Sequence, residues 1–159
     1  MLMTFLYVAI GALFIYALKR AFTGTSGTSV AGNIEAGTQF LEGNKSKEGV
    51  IETESGLQYL QLQAGTGTVH PGPKTKVLAH YHGSLIDGTV FDSSVDRGQP
   101  LEFGLNQVIR GWTEGLQLMV EGEKVRLFIP SKLGYGNRPA GSIPAGSVLI
   151  FDVELIAIH

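Results

Sequence analysis

The chain predicts an α+β fold: a curved antiparallel β-sheet, a half-barrel, wrapped around one short α-helix and preceded by a single N-terminal transmembrane helix. Three observations carry this expectation. Short β-like runs are separated by Gly- and Pro-rich breaks, with most of the 22 glycines lying between them, which favours a turn-rich sheet over a helical bundle. One stretch, Gly111 to Met119, has helical spacing through Trp112, Leu116 and Met119, enough to cover one sheet face. Met1 to Leu18 carries no charged side chain and is closed by Lys19-Arg20.

As a helix the charge-free run reaches roughly 27 Å, slightly under a hydrocarbon core of about 30 Å. Local thinning makes that sufficient for one span, and Tyr7 and Tyr16 fall where interfacial aromatics sit. A cleaved signal peptide is the alternative. No Lys or Arg precedes the run, the basic pair follows it, and the small residues Ser29-Val30-Ala31 lie well past the charges. Residues 1–20 are therefore expected to be an uncleaved anchor. Residues 21–54 form a flexible linker: Ala21 to Gly32 is a Gly/Ser/Thr-rich tether, and sparse Ile34, Phe40 and Leu41 allow a short helix before Gly49. Residues 55–159 make the globular domain.

Within that domain the elements follow quickly. Leu57 to Ala64 reads as a strand whose buried face is left open, since Tyr59 and the Leu60/Leu62 pair point opposite ways. Gly65-Thr66-Gly67 and Pro71-Gly72-Pro73 break the chain. Lys76 to Ile86 is β-rich and turns at Asp87-Gly88 into Thr89 to Asp92. Leu101 to Phe103 is a brief strand. Glu123 to Pro130 alternates Val125, Leu127 and Ile129, Ser131 to Ser147 is a Gly/Pro-rich loop, and Val148 to Ile158 closes the sheet.

Composition removes several function classes. With 43% hydrophobic residues, 16% charged and a net charge of −2 without a basic cluster, the chain offers no nucleic-acid surface. It has no cysteine, hence neither a disulfide frame nor a thiolate metal site. His80 and His82 share one strand face, yet no third ligand has metal-site spacing. The Gly-rich pieces match neither a Walker loop nor a dinucleotide fingerprint, and no serine lies in a Gly-x-Ser-x-Gly elbow. No metal or cofactor is expected.

What remains is a pocket. Val77-Leu78-Ala79-His80-Tyr81-His82-Gly83, Asp87-Gly88-Thr89-Val90-Phe91-Asp92-Ser93-Ser94 and Val108-Ile109-Arg110-Gly111-Trp112 bring a Tyr, a Phe, a Trp and one carboxylate together with aliphatics. That is the make-up of a small-molecule or side-chain site rather than a nucleophile-and-base site. Together with Tyr135-Gly136 and Phe151-Asp152-Val153-Glu154-Leu155, the series resembles the FKBP-type peptidyl-prolyl cis-trans isomerases over roughly Ser55 to His159. The joining segment from Phe40 to Val50, then Thr53 to Tyr59, is similar to that of the family's macrophage-infectivity-potentiator branch. That branch's helical dimerisation domain is not carried over, because an apolar run stands in its place.

The resemblance implies a catalytic set of Tyr81, Phe91, Asp92, Ile109, Trp112, Tyr135 and Phe151, with Arg97, Leu101, Phe103, Val108 and Ile143 binding substrate. In the family Trp112 would be the pocket floor, and the Ile109 N–H and Tyr135 hydroxyl would donate to ligand carbonyls. Asp92 would accept from the ligand while Tyr81 and Arg97 hold it. Leu101 replaces an aromatic wall residue, and Ser142 stands where an aliphatic is usual. The implied partners are proline-containing polypeptides, unfolded or newly exported, macrolide inhibitors, and the membrane through the N-terminal helix. A non-catalytic, membrane-tethered chaperone or interaction module using the same pocket is the alternative. The expected location is the bacterial inner membrane, single-pass. Flanking charge places the domain in the cytoplasm, and family resemblance places it in the periplasm.

Overall fold

A computed structural model describes residues 29–159; the run Met1–Leu18 lies outside them. The first element is a helix, α1 (Val30–Asn44), longer than the short helix expected inside a flexible linker. Ser29 starts it, its Oγ accepting the Gly32 N–H at 3.1 Å. Tertiary contacts hold it more than its own periodicity does. Phe40 meets Phe128 with ring centroids 6.1 Å apart, and Gly37 is buried against Val148. At the C-terminal end the buried Asn44 donates to Gln58 Oε1 at 2.8 Å, and Gln58 Nε2 donates to Leu41 O and Glu52.

Seven strands follow: β1 (Val50–Glu52), β2 (Gln58–Gln63), β3 (Lys76–Ser84), β4 (Val90–Ser93), β5 (Leu101–Gly104), β6 (Lys124–Ile129) and β7 (Leu149–Ile158). They form one antiparallel sheet ordered β1-β2-β6-β7-β3-β4, with β5 also pairing β3. β1 lies in the stretch expected to be linker, and it pairs with β2 as part of the same sheet. The open question of the β2 face is settled by register: Tyr59 lies opposite Leu127 on the inner face, and Leu60 opposite Arg126 on the outer. Register shifts at Gln61/Gln63, Leu78/Ala79 and Gly83/Ser84 supply the bulges that bend a sheet.

Helix α2 (Ser94–Arg97) was not anticipated, and helix α3 (Arg110–Gln117) lies within one residue of its expected start. α3 packs on the inner face with Trp112 and Leu116 fully buried. A Cβ on Gly111 would come within 2.6 Å of Ile129, and one on Gly115 within 2.8 Å of Leu127, so these glycines set how near the helix approaches β6. Inner-face residues Val77, Ala79, Tyr81, Leu127, Ile129, Val153 and Leu155 complete the core. The loop from Ser131 to Ser147 contains a 3₁₀ turn at Ser131–Leu133 and a bridge between Ala140 and Ile143.

Candidate active site

The site grows out of an irregularity in one strand pair. On β3 and β4, Ser84 faces Val90 and Gly83 faces Asp92, so Phe91 is the extra residue of a bulge. Strict alternation would send adjacent Phe91 and Asp92 to opposite faces; the bulge turns both toward the pocket. Gly83 makes room for this. A Cβ there would lie 2.7 Å from both the Phe91 and Phe151 rings.

Below the bulge the aromatics stack edge to face. Phe91 meets Phe151 at 5.3 Å and 85°, and Phe151 meets Trp112 at 5.1 Å and 86°. Trp112 also contacts Tyr81 at 5.2 Å and 77°, and Phe103 at 5.2 Å and 55°. The three near-perpendicular pairs set the positive ring edge against the negative face, and the Phe103 pair is tilted. The Trp112 Nε1–H is buried with no hydrogen-bond partner among the described residues. Leu101, Ile109 and Ile143 are buried in the same cluster, against which Val108 and Tyr135 pack half-buried. Leu101 pairs with Ala79 across β5 and β3 and packs as core.

At the rim three polar side chains converge. The Tyr81 hydroxyl donates to Asp92 Oδ2 at 2.5 Å, Arg97 Nη2 donates to the Tyr81 oxygen at 2.8 Å, and Arg97 Nη1 donates to Asp92 Oδ1. The guanidinium carbon also stands 5.6 Å from the centre of the Tyr81 ring. Burial raises the Tyr81 hydroxyl well above the ordinary phenol value; donation to Asp92 adds to this, and Arg97 partly offsets it. The Tyr135 hydroxyl is raised as well, by burial first and then by the Asp92 charge. Both phenols therefore stay protonated as donors at neutral pH.

Arg97 reaches this rim because β4 and β5 both pair with β3, and α2 spans the gap between them. The helix had a readable signal. Ser93 Oγ accepts the Asp96 N–H at 3.1 Å, and Gly98 closes α2 at φ +73, an N-cap and a left-handed C-terminal glycine. Ser94 is a residue that sequence reasoning missed: its buried Oγ accepts the Tyr81 N–H at 2.7 Å and lies 2.8 Å from His80 Nδ1. His82 Nδ1 lies 2.9 Å from Ser93 Oγ. Both histidines sit on the outer face, away from the pocket. A second missed contact holds α3: Ser55 Oγ donates to Glu114 at 2.7 Å, and Thr53 Oγ1 at 3.2 Å. At the other end of α3, the Ile109 N–H donates to no described group.

The bent antiparallel sheet with one helix across its inner face agrees with a match of residues 67–156 to the model of the FKBP-type peptidyl-prolyl cis-trans isomerases, and the chain belongs to that family. A second model, the domain amino terminal to FKBP-type peptidyl-prolyl isomerase, matches residues 12–60. Among named proteins, the chain is 59% identical over 127 residues to the FKBP-type peptidyl-prolyl cis-trans isomerase FkpA of Aeromonas hydrophila, covering 80% of this chain and 47% of that protein. It is 54% identical over 123 residues to the FKBP-type 22 kDa peptidyl-prolyl cis-trans isomerase of Escherichia coli K12, covering 77% and 59%. Over 127 residues it is 47% identical to the outer membrane protein MIP of Legionella longbeachae, covering 79% and 54%. The chain thus spans about half the length of these relatives. The crystal structure of FkpA from Escherichia coli aligns with a TM-score of 0.77 at 42% identity, covering 81% of this chain and 60% of that one. A peptidyl-prolyl cis-trans isomerase structure from Pseudomonas syringae pv. tomato aligns at 0.76 and 40% identity, covering 85% and 98%.

Proposed function

We propose that the chain catalyses cis–trans isomerisation of X–Pro bonds in unfolded or newly exported polypeptides, without a covalent intermediate, metal or cofactor. The observation that carries the reading is the apolar cluster of Phe91, Phe103, Trp112 and Phe151 with Tyr81, Asp92 and Arg97 hydrogen-bonded together beside it. Rotating the bond means passing a perpendicular amide that has lost resonance, about 18–20 kcal/mol up, and uncatalysed exchange takes tens of seconds or more. The twisted carbonyl is less polarised than the planar one and loses less on leaving water. A pocket that binds the twisted form better lowers the barrier by that difference.

Trp112, Phe91, Phe103 and Phe151 would seat the proline ring, with Leu101, Val108 and Ile143 filling out the apolar walls. The Ile109 N–H and the Tyr135 hydroxyl donate to the flanking carbonyls. Asp92 accepts from the ligand on a lone pair that Tyr81 and Arg97 leave over, since each carboxylate oxygen accepts more than once. Macrolide inhibitors would enter the same pocket. Exchange NMR on a short Leu-Pro peptide tests this. Acceleration by the folded protein supports the enzyme, and its absence would leave a binding module.

The same reading keeps residues 1–20 as an inner-membrane anchor ahead of the folded part of the chain, which takes in α1 and β1 as well as residues 55–159. The charge-free run ended by Lys19-Arg20 supports it. Among the described residues no helix is long and apolar enough to cross a membrane. Membrane fractionation with intact-mass measurement decides: retention of Met1–Leu18 supports the anchor, and a mature N-terminus near Gly32 replaces it with a signal peptide.

A further inference from the structure

We propose that Asn33, with the face of α1 on which it lies, is a positioning element for the substrate pocket, acting through the loop that delivers Tyr135 and Ile143. This rests on the isomerase reading. Asn33 is distant in sequence from every pocket residue, yet its Nδ2 donates to Ala145 O at 2.8 Å. The neighbouring Gly146 adopts φ +80, and its backbone is so close to α1 that a Cβ would stand 2.9 Å from Val30 O and 3.0 Å from Ile34. One turn on, Gly37 meets the Val148 side chain, where a Cβ would come within 2.6 Å.

The contact passes inward by a short route. The Gly146 N–H donates to Gly136 O at 2.8 Å, and the Gly136 N–H donates to Ser131 O at 2.8 Å. Gly136 directly follows Tyr135, whose buried hydroxyl feels the Asp92 charge. On the other arm of the loop, Ile143 is fully buried in the pocket cluster and exchanges backbone hydrogen bonds with Ala140. The loop is therefore held at two ends. Its inner end is in the pocket and its outer end is on α1.

A Gly-to-Ala change inside a helix is favourable by propensity alone, but at Gly37 the new methyl meets Val148 in either role. Activity and the loop resonances, rather than stability, therefore separate the two. If α1 were only a cover, that clash would lower stability and leave kcat/KM and the loop resonances unchanged. If α1 positions the loop, the new methyl pushes Val148 and disturbs the site. The full chain is assayed for kcat/KM on a Leu-Pro peptide, and the amide resonances of Gly136, Ile143 and Gly146 are followed by NMR.

Asn33→Ala should lower kcat/KM by about threefold to tenfold, the range to which one net hydrogen bond converts, and should move those loop resonances. Gly37→Ala should act alike, and adding Val148→Ala should restore most of the loss. Gln39→Ala, on the exposed side of the same helix, should change neither readout. Unaltered kcat/KM with unmoved loop resonances in Asn33→Ala and Gly37→Ala overturns the proposal. So does a loss accompanied by shifts throughout the domain, because that marks general destabilisation. Should the unmodified chain fail to accelerate exchange, the isomerase reading falls, and the loop resonances alone then decide whether α1 sets the loop.

Discussion

Trp112 and Asp92 contribute to the site in different ways, and truncating each should show it. Trp112 is fully buried and touches three aromatic rings, so Trp112→Ala should cost about 3–5 kcal/mol of unfolding free energy. Asp92→Asn preserves shape but offers one acceptor oxygen where Tyr81 and Arg97 each need one. It should cost less, about 1.5–3 kcal/mol, as for a hydrogen bond to a charged group. Urea denaturation of the two variants gives the order. Proton chemistry makes a second prediction. Because the folded chain holds Tyr81 and Tyr135 protonated above the ordinary phenol value, their contribution is intact below about pH 10. Above it the unfolded chain releases protons that the folded chain keeps, so stability falls by about 1.4 kcal/mol per pH unit for each tyrosine. Denaturation at pH 9 and 11 should show the drop, and Tyr81→Phe/Tyr135→Phe should reduce it. The convergence of Tyr81, Phe91, Asp92, Trp112 and Phe151 was legible because these types recur in a specific order along the chain. Ser94 was not, since nothing in a Ser-Ser pair says which hydroxyl turns inward to a backbone N–H.

Among the elements, the β3–β4 pair is the one whose detail controls the site. Gly83→Ala puts a methyl into the space where the Phe91 and Phe151 edges meet. It should destabilise by about 1–3 kcal/mol, as overpacking does, and weaken peptide binding, read by denaturant midpoint and titration. The hairpin itself could be read from Asp87-Gly88, and Gly88 does take φ +89 with its N–H on Leu85 O. The bulge could not, because a period of two contains no signal for an extra residue. α2 was missed for another reason: a four-residue helix has too little periodicity, and only its caps mark it. α1 was underestimated because its apolar positions are sparse. Its hold on the sheet comes from a buried Asn44–Gln58 amide pair and from glycine contacts, which a hydrophobic pattern does not record.

For the molecule as a whole, α1 makes the outer sheet face a second packed layer at one end. A chain starting at residue 46 should lose roughly 2–4 kcal/mol of stability, for one half-buried Phe and a Gln58 amide left without Asn44. Comparing its urea midpoint with that of the full chain measures this. The sheet's pairings join segments far apart in sequence, β2 to β6 and β3 to β7 above all. Such non-local topologies fold in milliseconds to seconds. The general architecture was readable because strand periodicity and turn residues agree along most of the globular part. The boundary at residue 55 was not, since β1 is three residues long and is recognisable only through its partner.

The chain contains a single tryptophan, and it is buried under the proposed pocket, ringed by Tyr81, Phe103 and Phe151. Tryptophan emission therefore comes from one place. With excitation at the red edge of the indole band, where the five tyrosines absorb little, a ligand entering the proposed pocket should alter the emission of that one residue. Ligand entry can be timed by stopped flow without any attached dye.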